Sequence, residues 1–412
     1  MEDQEGHLDE GGLGSDALER EMRTRPVSLS GSRRHVLHVT QSTDGGIATY
    51  LGTLAADQIH RGWRVTLVCP PEGPLPELAR GVPGISVLAW EATRDPGPSV
   101  LGEVRSLRRL TRAVSPDLIH LHSSKAGLIG RLAAPRGKTP IVYQPHAWSF
   151  EAVTGLKRQV SIVWERVGAR LCQQMICVSE AERQRALQEG VVGPMKVILS
   201  GVEIDRLRSV RNVDRRQARE ALGLPEGPLA VCVGRLCEQK GQDVLLAAWR
   251  AVLRAAPDAR LALVGDGELK SQLRFMRLPN VIFAGTREDV PRWLRAADLV
   301  VAPSRWEGFS LAIIEAMALG RTVVATDVDG VREALGDNIG KVVASDDPRA
   351  LVGPIVDRLL DTDLAAREGR RATRRVERYF DMRRTHDEIA RLYDDLLEVK
   401  APAALAWERG VA

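Results

Sequence analysis

Two glutamates, Glu307 and Glu315, have seven residues between them in the stretch Ser304-Arg305-Trp306-Glu307-Gly308-Phe309-Ser310-Leu311-Ala312-Ile313-Ile314-Glu315. An apolar run, Leu299 to Ala302, precedes the stretch, and another, Thr322 to Ala325, follows it. The first carboxylate therefore belongs in a strand-to-helix loop and the second inside the helix. A loop that opens a helix presents unpaired backbone N–H groups and the positive end of the macrodipole, which together attract an anion. Carboxylates on either side of such a place suit a ligand with phosphates at its middle and hydroxyl-bearing groups at both ends. A nucleotide-sugar has that form.

Other chemistry-bearing residues also fall just after apolar runs. Gly234-Arg235-Leu236-Cys237-Glu238-Gln239-Lys240-Gly241 follows Leu229 to Val233. Gly234 permits a sharp turn, and Arg235 and Lys240 supply the fixed positive charge that a departing diphosphate needs where no metal provides it. Gly45 and Gly46, in Asp44-Gly45-Gly46-Ile47, form a turn that lets backbone approach a ligand closely. His122 ends the run Leu118 to His122, with His120 on the same face one pleat earlier, and His146 follows the run Pro140 to Tyr143. The ends of parallel strands collect site groups in open α/β sheets. An isolated histidine also serves as a structural hydrogen-bonder, and His120 is placed to point into the sheet. Ser124 and Lys125 suit either an acceptor contact or the start of a helix. Asp327-Val328-Asp329 and Asp361-Thr362-Asp363 have metal-site spacing and are read as coincidence, so no metal is expected.

The elements that must position these groups alternate along the chain. Short apolar runs begin at His35, Val65, Ile85, Leu118, Pro140, Met175 and Val197, with helical segments between them. Charge and turn residues dominate from Glu203 to about Gly227, which reads as a linker plus one helix. A second alternating series begins at Leu229. Strands alternating with helices imply parallel sheets covered on both faces, and two doubly wound units in tandem place a cleft between their strand ends. The expected division is a polar tail at 1–32, units at 33–205 and 206–381, and a closing helical segment at 382–412 that packs back on the first unit. Ile389, Leu392, Leu396 and Val399 are its apolar stripe.

The 412 residues suffice for two domains, and 44% hydrophobic with 27% charged residues describes a water-soluble globular chain. A net charge of +4, from 58 basic and 54 acidic residues, argues against nucleic-acid binding. Five cysteines without zinc spacing read as small core residues in a reducing, cytoplasmic setting. Neither a membrane span nor the apolar core of a signal peptide is evident.

The E-x7-E stretch resembles the signature of retaining glycosyltransferases with the GT-B fold, and its flanking phrase resembles glycosyltransferase family 4. The resemblance extends to G-R-x-x-x-x-K-G at Gly234 to Gly241 and to the stretches around His122 and His146, which resemble enzymes of bacterial polysaccharide synthesis. It implies that Glu307 contacts the donor sugar and that the N–H groups of Gly308, Phe309, Ser310 and Leu311 hold the diphosphate. Glu315 takes the ribose, Arg235 and Lys240 the diphosphate, and Arg287 the base through its backbone. Gly45 and Gly46 border the donor phosphates, and His122 and His146 line the acceptor side. Ser200-Gly201-Val202-Glu203 departs from the family's N-G-V-D turn. The implied activity is transfer from a nucleotide-diphosphate sugar, UDP-linked by expectation, to a glycan, lipid-linked or small-molecule acceptor, without metal or other cofactor. The rivals are a sugar-nucleotide epimerase or hydrolase of the same fold and a non-catalytic binder. The basic segment Val104 to Val114, with Arg105, Arg108, Arg109 and Arg112 beside Leu107 and Leu110, suggests peripheral contact with an anionic membrane at its inner face.

Overall fold

The computed structural model describes residues 34–93, 96–135 and 139–398, so the expected tail at 1–32, and Val399 of the closing helix, lie outside the described residues. Seven strands form the first sheet: β1 (His35–Thr40), β2 (Arg64–Cys69), β3 (Ile85–Ala89), β4 (Leu118–His122), β5 (Ile141–Gln144), β6 (Gln174–Cys177) and β7 (Met195–Val197). Six form the second: β8 (Leu229–Val233), β9 (Arg260–Val264), β10 (Val281–Gly285), β11 (Leu299–Ala302), β12 (Thr322–Thr326) and β13 (Gly340–Val343). Their orders are β3-β2-β1-β4-β5-β6-β7 and β10-β9-β8-β11-β12-β13, with every pairing parallel. The first sheet's β1, β4 and β5, and the second's β8, β11 and β12, are buried along nearly their whole length because helices cover both sides.

Each order reverses once, between β1 and β4 and between β8 and β11. Ligands of doubly wound sheets bind at such reversals, beyond the carboxyl ends of the strands. The turns that leave these four strands carry Gly45–Gly46, His122, Gly234–Lys240 and Ser304–Glu307. The sequence's chemical residues thus sit where two sheets independently open a crevice.

Between the units, the segment expected to hold one helix contains two, Ile204–Arg211 and Arg215–Ala221, the second capped by Asp214, which accepts from the Arg216 N–H at 2.8 Å. Strand β13 had no clear apolar run to announce it, since Gly340 and Lys341 begin it. The helix Met382–Glu398 returns to the first unit, where Ile389, Leu392 and Tyr393 join the core of Leu51, Leu54 and Val65. Thr385 donates to the Leu199 carbonyl at 2.7 Å, and Arg34 pairs with Asp394. The helix Val100–Val114 corrects an expectation. Leu107 is buried in the first unit's core and Leu110 packs on it, so those residues are not available to a bilayer. All five cysteines are free and buried.

Candidate active site

The second unit's two key loops are held in register by one arginine. Arg305 donates to both Asp243 oxygens at 2.9 and 2.7 Å and to the Glu238 carbonyl at 2.8 Å, while its own N–H reaches the Gln239 carbonyl. Gln239 completes the tie by donating to the Trp306 carbonyl at 3.1 Å. This brings Lys240 Nζ to 2.5 Å from Glu307 Oε1, which also accepts from Ser304 Oγ at 2.7 Å. Gly241 adopts φ +61°, and a Cβ there would meet the Pro303 carbonyl at 2.0 Å, so only glycine allows the loops to lie this close.

Beyond Glu307 the helix Leu311–Ala318 begins at Ser310 with no side-chain cap and no acid in its first turn. Its leading N–H groups are therefore left for an anion. The Phe309 ring is core, tilted against Phe380 at 5.5 Å between centroids, so only its backbone is left to meet a ligand. Arg235 adds an Nε–H that is buried without a protein partner, and its carbonyl is held by Gln242 at 2.9 Å. An unpaired guanidinium N–H in such a place is costly unless a ligand satisfies it. Glu315, half-buried one helical stretch further on, has its carboxyl pushed up to about 7 by burial, with Arg206 opposing and Glu203 reinforcing the shift. Glu203 and Arg206 thus border Glu315. The Arg287 side chain is occupied by Asp289 at 2.8 and 2.9 Å.

The first unit approaches closely. A Cβ on Gly46 would touch Leu311 Cδ1 at 3.5 Å, and one on Gly308 would strike the His146 carbonyl at 2.4 Å. Ser179 Oγ donates to the Gly308 carbonyl at 3.1 Å. The glycine turn, the His146 loop and the Gly308–Leu311 helix start therefore lie against one another.

The histidines form a directional chain that sequence reading only half anticipated. His38 and His120 are paired across β1 and β4, and His122 lies one pleat on. Gln58 Oε1 meets His38 Nε2 at 2.7 Å, His38 Nδ1 meets His122 Nε2 at 3.0 Å, and His122 Nδ1 meets His146 Nε2 at 3.2 Å. With Gln58 Oε1 as acceptor, every proton in the chain is fixed: each histidine donates from Nε2, and His146 keeps Nδ1 as a free acceptor. Burial lowers His38 to about 4 and His146 to about 3, and burial with the neighbouring histidines holds His120 and His122 well below the usual imidazole value, so all four are neutral at pH 7. His146 alone among them is partly exposed, and it holds φ +60°, a left-handed conformation that non-glycine residues adopt only under constraint. His120 instead reaches Tyr393 of the returning helix at 2.6 Å. His38, missed in the sequence, was detectable only as a polar residue inside an apolar strand. His38, His120 and His122 are also the described residues whose ligand atoms come within 4.8 Å of one another, as a metal site would require.

Lys125 departs from its expected acceptor role. It is buried in an ion pair with Glu103 at 2.8 Å, and Ser124 is the first residue of the helix Ser124–Ala133. Asp327 pairs with Arg332, and Asp329 with Arg185 at 3.3 Å, so the two residues of that Asp-x-Asp diverge. Asp361 caps a helix by accepting from the Leu364 N–H at 2.8 Å.

Comparison with known proteins agrees across both units. Residues 44–206 match the family described as Glycosyltransferase Family 4, and residues 227–361 match Glycosyl transferases group 1. The chain is 27% identical over 351 residues to the UDP-Gal:alpha-D-GlcNAc-diphosphoundecaprenol alpha-1,3-galactosyltransferase of Escherichia coli, covering 81% of this chain and 89% of that one. It is 30% identical over 305 residues to the D-inositol 3-phosphate glycosyltransferase of Jonesia denitrificans, covering 68% and 71% of the two chains. Among solved structures, Anabaena Alr3699/HepE in complex with UDP-glucose superposes with a TM-score of 0.74 at 25% identity, over 88% of this chain and 99% of that one. The sucrose-phosphate synthase of Thermosynechococcus elongatus shares the fold, with a TM-score of 0.77 at 21% identity over 89% and 100%.

Proposed function

The chain belongs to glycosyltransferase family 4 and is a glycosyltransferase of the GT-B fold, and on that premise we propose that it is a retaining enzyme that moves a sugar from a UDP-sugar to a lipid-linked acceptor in bacterial glycoconjugate synthesis. The observation that carries the donor side is the conjunction of an unpartnered buried Arg235 Nε, Lys240 paired with Glu307, and the uncapped helix start at Ser310 three residues beyond Glu307. A diphosphate leaving with negative charge is stabilised there by donors already in place, without reorganisation as the bond breaks. Glu307, freed from Lys240 when phosphate arrives, orients the donor sugar, and Glu315 takes the ribose hydroxyls. Front-face substitution, with the leaving phosphate accepting the acceptor's proton, is the route that the family resemblance implies. His146 Nδ1, presented by the histidine chain, receives a hydroxyl on the acceptor side.

The lipid-linked acceptor is inferred from the E. coli relative, whose name specifies a diphosphoundecaprenol-linked sugar and whose alignment spans most of both chains. Incubation with UDP-, GDP- and dTDP-sugars, each with and without a polyprenyl-diphosphate-linked sugar, tests the proposal. The expected result is acceptor-dependent release of UDP and an anomerically retained product. Release of UDP to water alone would mark a hydrolase, donor isomerisation an epimerase, and tight binding without turnover a non-catalytic binder.

Transfer is expected to proceed without a metal, because the positive charge for the leaving group is built from side chains and backbone. Full activity in excess EDTA is the expected outcome. Loss of activity restored by one divalent ion would point to the His38–His120–His122 group or to a cation on the donor phosphates.

A further inference from the structure

We propose that the helix Gly155–Gly168 of the first unit docks on an anionic lipid bilayer through an exposed apolar stripe. Its inner face is conventional. Ile162 and Gly168 are buried, and Glu165 forms a buried ion pair with Arg131 at 2.9 Å. The outer face is not. Leu156, Val160, Val163 and Val167 are 80%, 62%, 56% and 49% exposed. At about 100° per residue these four side chains fall within an arc of about 60°. An amphipathic helix whose hydrophobic stripe faces away from its own core has the polarity of an interfacial helix rather than of a surface helix.

The flanking chemistry selects the occupant. Lys157 stands on one side of the stripe and Arg166 on the other, and Arg170 follows in the next turn, all three exposed. Glu165 is the helix's one acid in sequence, and it is buried, so the outer face offers a bilayer no carboxylate. Basic residues beside an apolar stripe fit lipid phosphates above acyl chains. A second copy of this chain would instead bring the same cations against themselves.

The position fits an acceptor arriving from a membrane. The helix begins at the ninth residue after His146, and the intervening loop is braced on it: Ser149 Oγ meets Ser161 Oγ at 2.6 Å and donates to Glu165 at 3.3 Å. A bilayer on the stripe would bring its headgroups to the acceptor side of the cleft. The surface assignment stands on the helix itself; its purpose rests on the lipid-linked acceptor reading.

Flotation tests it. The protein is mixed at low salt with vesicles of phosphatidylcholine and phosphatidylglycerol, or of phosphatidylcholine alone. Wild type should float with the anionic vesicles. A variant carrying Leu156→Ser, Val160→Ser, Val163→Ser and Val167→Ser should bind at least about tenfold less, and Lys157→Gln, Arg166→Gln, Arg170→Gln should lose the preference for anionic lipid. Both variants should keep wild-type UDP affinity because the altered side chains lie outside the cleft. The serine variant should keep the wild-type melting temperature, whereas the glutamine variant also loses the Arg166 hydrogen bond to the Glu189 carbonyl at 2.6 Å. Equal flotation of the serine variant, failure of wild type to float, or a wild-type dimer that the serine variant dissolves would each overturn the proposal. Failure of the transferase reading would appear in the UDP-release assay and leave flotation unchanged.

Discussion

At the scale of single residues, the donor site is a set of donors waiting for an anion. Lys240 is held by Glu307, and Arg235 Nε has no hydrogen-bond partner among the described residues. Lys240→Ala and Arg235→Ala should each lower kcat by a factor on the order of 10², the scale of one lost preorganised charge-assisted contact. Steady-state kinetics with the melting temperature as a control checks this, and activity within a few-fold of wild type in both would refute their role. The glutamates should separate. Glu315→Gln weakens UDP binding on the order of tenfold by impairing a ribose contact, whereas Glu307→Gln spares UDP and impairs only the UDP-sugar. Calorimetry with both ligands distinguishes them, and matching effects would contradict the division of labour. These residues were legible in the sequence because their geometry is local: a strand end, a tight turn, and the first turns of a helix. Lys125 was not, because its partner Glu103 belongs to a helix distant in the chain. The hydrogen-bonded chain from Gln58 to His146 was equally hidden, since no spacing reveals which nitrogens face one another.

At the scale of elements, the sequence showed alternating strands and helices wherever apolar runs were unambiguous, and failed where charge masked structure. The helices at Ile204–Arg211 and Arg215–Ala221 bury few residues and resemble a linker in composition. Amphipathic periodicity identified which helical faces are apolar, not which are covered. Val100–Val114 and Gly155–Gly168 both carry stripes beside basic residues, yet only the first stripe is packed against a core. One close approach crosses between the units, where Gly308 meets the His146 carbonyl. Gly308→Ala would put a methyl group 2.4 Å from that oxygen, so the loops must separate. A shift of about 1 Å between donor and acceptor sides suffices to cost on the order of 10² in rate. The expected outcome is that loss in kcat with UDP affinity held within a few-fold, because the diphosphate donors all belong to the second unit. Wild-type kcat in this variant would show that the observed approach is not the catalytic one.

At the scale of the whole molecule, the two units also meet in a seam of carboxylates away from the donor site. Glu333 of the second unit accepts from the N–H groups of Glu180 and Ala181 at 2.8 and 2.6 Å, capping a helix of the first. Beside it, Glu151 is pushed up to about 8 by burial and by Asp329 across the seam, and Glu182 to about 8 chiefly by burial. Arg185, near both Glu151 and Asp329 at 3.5 and 3.3 Å, offsets only part of this charge. The ordinary value for both glutamates is 4.5, so the folded protein retains protons that the unfolded chain has lost. Their contribution to stability is therefore complete below about pH 4.5 and disappears as pH rises through about 8. The neutral histidines act in the opposite sense: His38, lowered from 6.5 to about 4, contributes above pH 6.5 and loses that contribution as pH falls towards 4. Between about pH 6 and 9 the seam carboxylates ionise, and there Asp329 repels an ionised Glu151 from the opposite unit. Raising the pH from about 6 to about 9 should thus lower the melting temperature and expand the molecule as the units part. Glu151→Gln removes one of the titrating seam groups but keeps a hydrogen-bonding amide beside Asp329, so it should weaken both responses while Glu182 sustains the remainder. Calorimetric melting and small-angle scattering across that range measure them, and a variant that follows the wild-type curves would show that the seam does not hold the two units together.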